Sequence, residues 1–160
     1  PAGSLMTITD HINWSGFNPL IGLNDENYGP RFHDMSDGYN KFYRDQMIEV
    51  ARNINQNLFQ GIYCMYSGPN FETPAEINAL KVIGGNAVGM STVPEVLVAN
   101  HCSLPVVAIS VITNLAAGMN KTKLSHQETL ENAGLAEAKV INLIKNFIQH
   151  VKFNDTSRNN

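Results

Sequence analysis

The sequence is short of charge. Charged residues are 16% of the 160, and 11 Lys and Arg set against 14 Asp and Glu leave a net charge of -3. The basic residues form no block, so no positive field draws nucleic acid or an anionic membrane surface. Cysteine is scarce too: Cys64 and Cys102 form no CxxC pair and no Cys/His cluster with zinc-ligand spacing. A disulfide framework and a metal site are therefore not expected; two free thiols in a reducing cytoplasm are. No apolar run approaches the roughly 20 residues a membrane-spanning helix requires. P-loop, GxGxxG, GxSxG and HExxH patterns are all missing.

What is present is globular. Apolar residues reach 43%, enough for one domain with a real core. The expected organisation is a single α/β domain over 1–152 and a frayed tail over 153–160.

Short strands are expected at Leu5–Thr9, closed by Asp10 and His11, at Gly61–Tyr66 and at Ala87–Met90. Pro105–Thr113, "PVVAISVIT", is nearly continuous in apolar residues, as for a strand covered on both faces. Between them lie helical stretches. Tyr43, Met47, Val50 and Ile54 recur at helical spacing over 38–55, with Ser36 and Asp37 as candidate caps. Pro74 and Pro94 each stand where the first turn of a helix tolerates proline. Ser125 to Glu128 reads as a capping box, followed by a stripe of Leu130, Ala133, Val140, Ile144, Phe147 and Val151 on a long terminal helix. Residues 14–34 are rich in Gly, Pro, Asn and Asp and read as a long loop; Trp14, Phe17, Tyr28 and Phe32 argue that it is ordered. The alternation of strand and helix from 61 onward gives an α/β fold with a mixed, largely parallel sheet flanked by helices.

In such sheets ligands bind beyond the carboxyl ends of strands. The residues found there are Asp10 and His11, Phe71 and Glu72, Met90 and Ser91, and Thr113 and Asn114. This set suits a planar heterocycle with donors and acceptors on its rim. Phe71 can stack on one face and Met90 can cover the other. The Glu72 carboxylate accepts from ring N–H or exocyclic NH2 groups, and Asn114 offers a donor and an acceptor side by side, a combination suited to a 6-oxopurine. Ser91, close to a helix start, can hold an anion. Each residue also has a plainer reading. Glu72 can be a solvated loop acid, Met90 core filler, Ser91 and Thr92 a helix cap, Asn114 a turn residue, and His126 a surface residue of its helix. Composition and spacing alone stop at an α/β domain with a small-ligand site.

The words "ITDHIN", "GPNFETPAE", "AVGMSTVPEV" and "ITNLAAG" carry more. Together they resemble the trimeric, inosine- and guanosine-type purine nucleoside phosphorylases. The resemblance runs from about residue 3 to about residue 151 and corresponds to the carboxy-terminal part of that family's chain. It implies phosphate-dependent cleavage of the N-glycosidic bond of inosine or guanosine in the cytoplasm, giving free base and ribose 1-phosphate. Inorganic phosphate is then a co-substrate and no cofactor is required.

Roles follow residue by residue. Glu72 and Asn114 resemble the purine-recognition pair, Glu72 at N1–H and the 2-amino group, Asn114 at O6 and N7. Phe71, Val88, Met90 and Thr113 resemble the walls of the base and ribose site. Tyr63 matches a ribose contact, His126 a histidine at the 5′-hydroxyl, and Ser91 a phosphate ligand. Phe17 resembles the aromatic that closes the neighbouring subunit's site in a homotrimer. Glu72, Asn114 and His126 are thus the expected catalytic residues.

The family's glycine-containing phosphate loop, Arg-x-His segment and one ribose tyrosine belong to its amino-terminal part and have no counterpart here. The 160 residues alone are accordingly not expected to catalyse phosphorolysis at a normal rate, and the sheet is expected to be incomplete on that side. Two rivals stay open. One is a methylthioadenosine phosphorylase, whose relatives carry Asp where Asn114 stands. The other is a non-catalytic module that binds purine or a full-length partner.

Overall fold

The computed structural model describes residues 1–119 and 126–153, with the backbone alone at His126 and Glu128. Eight elements follow one another: β1 (Ser4–Asn13), α1 (Lys41–Asn53), β2 (Leu58–Met65), α2 (Pro74–Val82), β3 (Ala87–Gly89), α3 (Val93–His101), β4 (Ile109–Ile112) and α4 (His126–His150). The strands form one mixed sheet in the order β3-β2-β1-β4. β1, β2 and β3 are parallel, while β4 runs antiparallel to the first residues of β1.

The alternation of side chains along a strand sorts the core into layers. Leu5 points toward α1 and α4, where it meets Met47, Val50, Ala51, Ala136 and Leu143. Met6 and Ile8 lie in a cluster with Tyr39, Tyr63, Met65 and the α3 residues Val93, Val96 and Leu97. Cys64 packs against Ile77 and Leu80 of α2. The result is a sheet covered by helices on both faces, the arrangement expected for an α/β fold.

Local chemistry sets the helix ends. The Asn40 side chain caps α1 by accepting from the Tyr43 N–H, and the Lys41 N–H donates to the Asp37 carboxylate at 2.8 Å. Of the two candidate caps, Asp37 thus takes an N–H of the first turn, whereas Ser36 donates to Asp34. α2 begins with a capping box: Thr73 accepts from the Glu76 N–H, and Glu76 accepts from the Thr73 N–H at 2.7 Å. This box was not read from the sequence, where only Pro74 marked the helix start. Ser125 of the expected α4 box lies outside the described residues, as does 154–160 of the expected tail.

Three expectations need correction. The first strand does not end at Thr9: it bulges between Ile8 and Asp10 and continues to Asn13, so Asp10 and His11 belong to the strand. Apolar Pro105–Thr113 yields only the four-residue β4, half-buried throughout rather than covered on both faces. The α4 stripe is shifted around the helix. Ala136 and Leu143 are its fully buried residues, with Val140 and Phe147 beside them, whereas Leu130 and Ile144 are exposed.

The long segment between β1 and α1 is held by side-chain amides and carboxylates rather than by regular structure. Asn13 ties Ser15 and the Phe17 carbonyl. The Asn24 amide oxygen accepts from Nε2–H of the buried His101 ring at 2.9 Å, and Asn100 donates to the Gly38 carbonyl at 2.9 Å. These bonds lay the loop over the end of α3 and leave Phe17, Ile21, Leu23 and Phe32 exposed.

Candidate active site

One open cavity of about 440 Å³ gathers Tyr63, Phe71, Glu72, Val88, Met90, Ser91, Thr113 and Asn114. These are eight of the ten residues to which the resemblance gave roles; Asp10 and His11, also singled out at a strand end, are not in the lining. Phe17 is not among the cavity's lining; it stands exposed on the long loop. The side chain of His126 lies outside the described residues, though its backbone opens α4.

Each wall has a local cause. β2 and β3 end side by side, Met65 opposite Gly89, so the segments that follow them share one rim. After β2 the chain turns through Gly68, at φ +65°, and a cis Gly68–Pro69 peptide. A side chain on Gly68 would collide with the Met90 thioether, so glycine here lets Met90 lie against the turn. The loop is then fastened from below. Tyr66 donates to Glu76 at 3.2 Å, and Asn70 donates to the Phe71 carbonyl at 2.9 Å. Hydrogen bonds hold the Glu76 carboxyl below its ordinary range, first that from the Thr73 N–H. Phe71 and Glu72 therefore project from a braced turn.

Glu72 is the chemically distinctive residue of the cavity. Only 7% of its surface is exposed, and its carboxylate makes no hydrogen bond or ion pair among the described residues. Its oxygens are not among the enclosed unpaired polar atoms of the described residues, so they are reached from the open cavity and are unused by the chain. Ligand N–H groups are natural donors to the carboxylate in a cavity that Phe71, Met90 and Val88 also line.

At the other end, Tyr63 is buried and its hydroxyl lies 3.4 Å from both the Ser91 hydroxyl and the Ser91 N–H. Gly89 packs on the Tyr63 ring so closely that a side chain there would strike its hydroxyl. Ser91 Oγ is 3.2 Å from Thr92 Oγ1. Thr92 precedes α3 at φ +75°, a backbone conformation rare for a β-branched residue, and it makes no side-chain cap bond. The plainer reading of Thr92 as an ordinary side-chain cap is thus corrected: two hydroxyls stand beside the start of α3 without capping it. Among the described residues the cavity lining contains no Lys or Arg.

β4 approaches from the opposite direction, so the strand-end rule that selected Thr113 and Asn114 does not hold for it. They reach the cavity nonetheless. The Asn114 amide donates to Thr129 at 3.1 Å and to Thr113 at 3.4 Å. Thr129, from the first turns of α4, also lines the cavity and was missed in the sequence. Its one available signal was its place three residues after His126. Ser110, likewise missed, faces the cavity from β4.

An acid, an amide, several hydroxyls and apolar covers thus share one open cavity. The chain belongs to the Phosphorylase superfamily, whose family model matches residues 1–149. It is 47% identical over 144 residues to purine nucleoside phosphorylase 1 of Bacillus subtilis (strain 168), covering 90% of this chain and 53% of that protein. It is also 47% identical over 146 residues to the purine nucleoside phosphorylase of Mus musculus, covering 87% of this chain and 50% of that one. Its fold overlies a schistosoma purine nucleoside phosphorylase solved with hypoxanthine, with a TM-score of 0.90 and 33% identity, over 96% of this chain and 57% of that chain. The chain thus spans about half the length of the relatives it matches.

Proposed function

We propose that this chain supplies the base and ribose side of a purine nucleoside phosphorylase acting on inosine or guanosine. The observation that carries the reading is Glu72, buried without a partner in the cavity that also holds Asn114. A 6-oxopurine offers the N1–H that Glu72 accepts, and guanine adds its 2-amino group. Phe71 and Met90 supply apolar cover for the ring. Tyr63 is assigned to the ribose, His126 to its 5′-hydroxyl, and Ser91 to phosphate.

The chemistry follows from these placements. A phosphate oxygen forms a bond to C1′ while the bond from C1′ to N9 breaks, and the bonding pair leaves with the purine. Negative charge grows on the base, which takes up at N7 a proton from solvent, balanced by the proton the phosphate gives up on esterification. Asn114 accepts from N7–H and donates to O6, contacts that strengthen as the charge develops, and such strengthening lowers the barrier. Products are free base and ribose 1-phosphate. Phosphate is a co-substrate, and no step requires a cofactor. Among the described residues the cavity lining offers hydroxyls but no cation to phosphate.

A homotrimer fits the exposed apolar loop of Phe17, Ile21, Leu23 and Phe32, with Phe17 reaching a neighbour's site. A cytoplasmic location fits two unpaired thiols. The test is a coupled assay of the full-length protein with inosine, with and without phosphate. Hypoxanthine release that depends on phosphate supports the reading; purine binding without turnover would replace it with a binding module, and cleavage of methylthioadenosine in preference to inosine with the rival phosphorylase.

A further inference from the structure

We propose that Thr129 is a positioning residue that sets the preference for 6-oxo over 6-amino purines by holding the Asn114 carboxamide in one orientation. The inference rests on the purine assignment above and adds to it a residue on a different element. A carboxamide has two similar ends, and rotation by half a turn exchanges donor for acceptor. With the nitrogen toward O6 and the oxygen toward N7–H, Asn114 complements a 6-oxopurine. Turned over, its oxygen would face O6 and repel it, and would instead accept from a 6-amino group. Asn114 discriminates only if something outside the ligand fixes the amide.

Thr129 does this from α4. Its hydroxyl oxygen takes one Asn114 N–H at 3.1 Å. The second described contact, to Thr113, is longer at 3.4 Å and is the one a ligand oxygen can displace. One N–H thus remains for O6. The carbonyl oxygen of Asn114 makes no bond among the described residues and is left for N7–H. A helical threonine hydroxyl characteristically donates to a carbonyl of the preceding turn, which leaves its oxygen to accept. An acceptor at this position favours the amide nitrogen over the amide oxygen. Because Thr129 belongs to the same α4 start as His126, the bond also couples the base end of the site to the helix assigned to the ribose 5′-hydroxyl.

The test uses the full-length protein, with steady-state kinetics on inosine and on adenosine. Thr129→Val keeps the shape and removes the hydroxyl. It is expected to lower kcat/KM for inosine about three- to tenfold, to narrow the inosine-to-adenosine ratio, and to leave KM for phosphate unchanged. Thr129→Ser is expected to restore both. Combined with Asn114→Ala, the Val substitution should have no further effect, since the amide it orients is gone. If Thr129→Val does not fold, Thr129→Ala replaces it under the same criteria. An unchanged ratio in either variant, or losses that simply add to those of Asn114→Ala, would overturn the proposal. Should the wild-type protein cleave no purine nucleoside, the purine assignment falls and this inference with it. Should it cleave inosine while the variants match it, only the role of Thr129 falls.

Discussion

The Tyr63 hydroxyl lies 3.4 Å from Ser91 Oγ, joining a residue of β2 to the second residue after β3. The two strands are adjacent and parallel, so the contact ties the side of the cavity assigned to ribose to the side assigned to phosphate. Tyr63→Phe removes the hydroxyl and keeps the buried ring. A net hydrogen-bond contribution of about 0.5–1.5 kcal/mol sets the expected effect: KM for phosphate rises severalfold, while the melting temperature stays near wild type. Phosphate-saturation kinetics check this.

Gly89 sits against the Tyr63 ring, where a β-carbon would overlap the hydroxyl and lie 3.0 Å from Cζ. Gly89→Ala forces the buried Tyr63 or the short β3 to move. Overpacking of this kind costs typically about 1–3 kcal/mol. The expected result is a lowered melting temperature together with a loss of kcat/KM, read by calorimetry and by inosine kinetics.

Much of this was legible in the sequence because period and punctuation were clear. Strand alternation, the two helix-opening prolines and the apolar runs located the elements. The aromatic-acid turn and the Gly-Met-Ser turn were recognisable as strand ends. Other features left no local trace. The direction of β4 depends on pairing with residues a hundred positions away, and no pattern within Pro105–Thr113 encodes it. The extension of β1 through Asp10 and His11 depends on a bulge and on partners in β2. Thr129 was missed for the same reason: a single threonine on a helix becomes informative only once Asn114 is seen beside it. The burial of Glu72 likewise belongs to the turn's three-dimensional bracing and not to its spelling.

That bracing is itself testable. Thr73→Ala removes the N-cap of α2 and should cost about 1 kcal/mol of stability. Glu76 acts from the other half of the box, with its pKa lowered from 4.5 chiefly by the Thr73 N–H. A depressed carboxyl stabilises the fold above its unfolded pKa and loses that contribution as pH falls through the folded value. Thermal melts should therefore show wild type losing its advantage over Glu76→Gln on acidification below pH 4.5. Parallel pH profiles for the two proteins would contradict this.

His11 gives a second pH dependence of the same sign, in the histidine range. Burial lowers its pKa from 6.5, against a smaller raising effect of Asp10, and its ring is 3.0 Å from the Tyr39 hydroxyl. A histidine held neutral in the fold takes up a proton more readily when unfolded. Stability is thus full above pH 6.5 and declines as pH drops through the folded pKa. Burial also raises the pKa of Tyr39, with Asp10 and Tyr63 adding to the effect. The neutral pair persists through the physiological range. His11→Gln should flatten the acid limb of the melting profile between pH 6.5 and the point where carboxyl groups begin to protonate.

Thiol chemistry separates the two cysteines. Cys64 is fully buried and burial raises its pKa, whereas Cys102 is half-exposed at the end of α3. The thiolate is the reactive form, so a thiol reagent at neutral pH should modify Cys102 and spare Cys64 until denaturant is added. Equal rates for both in the native protein would contradict the packing of β2 against α2.

Glu72 is the residue on which the functional reading turns, and one comparison addresses it directly: phosphate-dependent cleavage of inosine by the full-length protein and by its Glu72→Gln variant. The substitution preserves shape and removes the carboxylate that accepts from N1–H. The expected result is a fall in kcat/KM for inosine of about a hundredfold or more with a native melting profile. A Glu72→Gln protein that cleaves inosine within about twofold of wild type would contradict the assignment of this cavity to a purine.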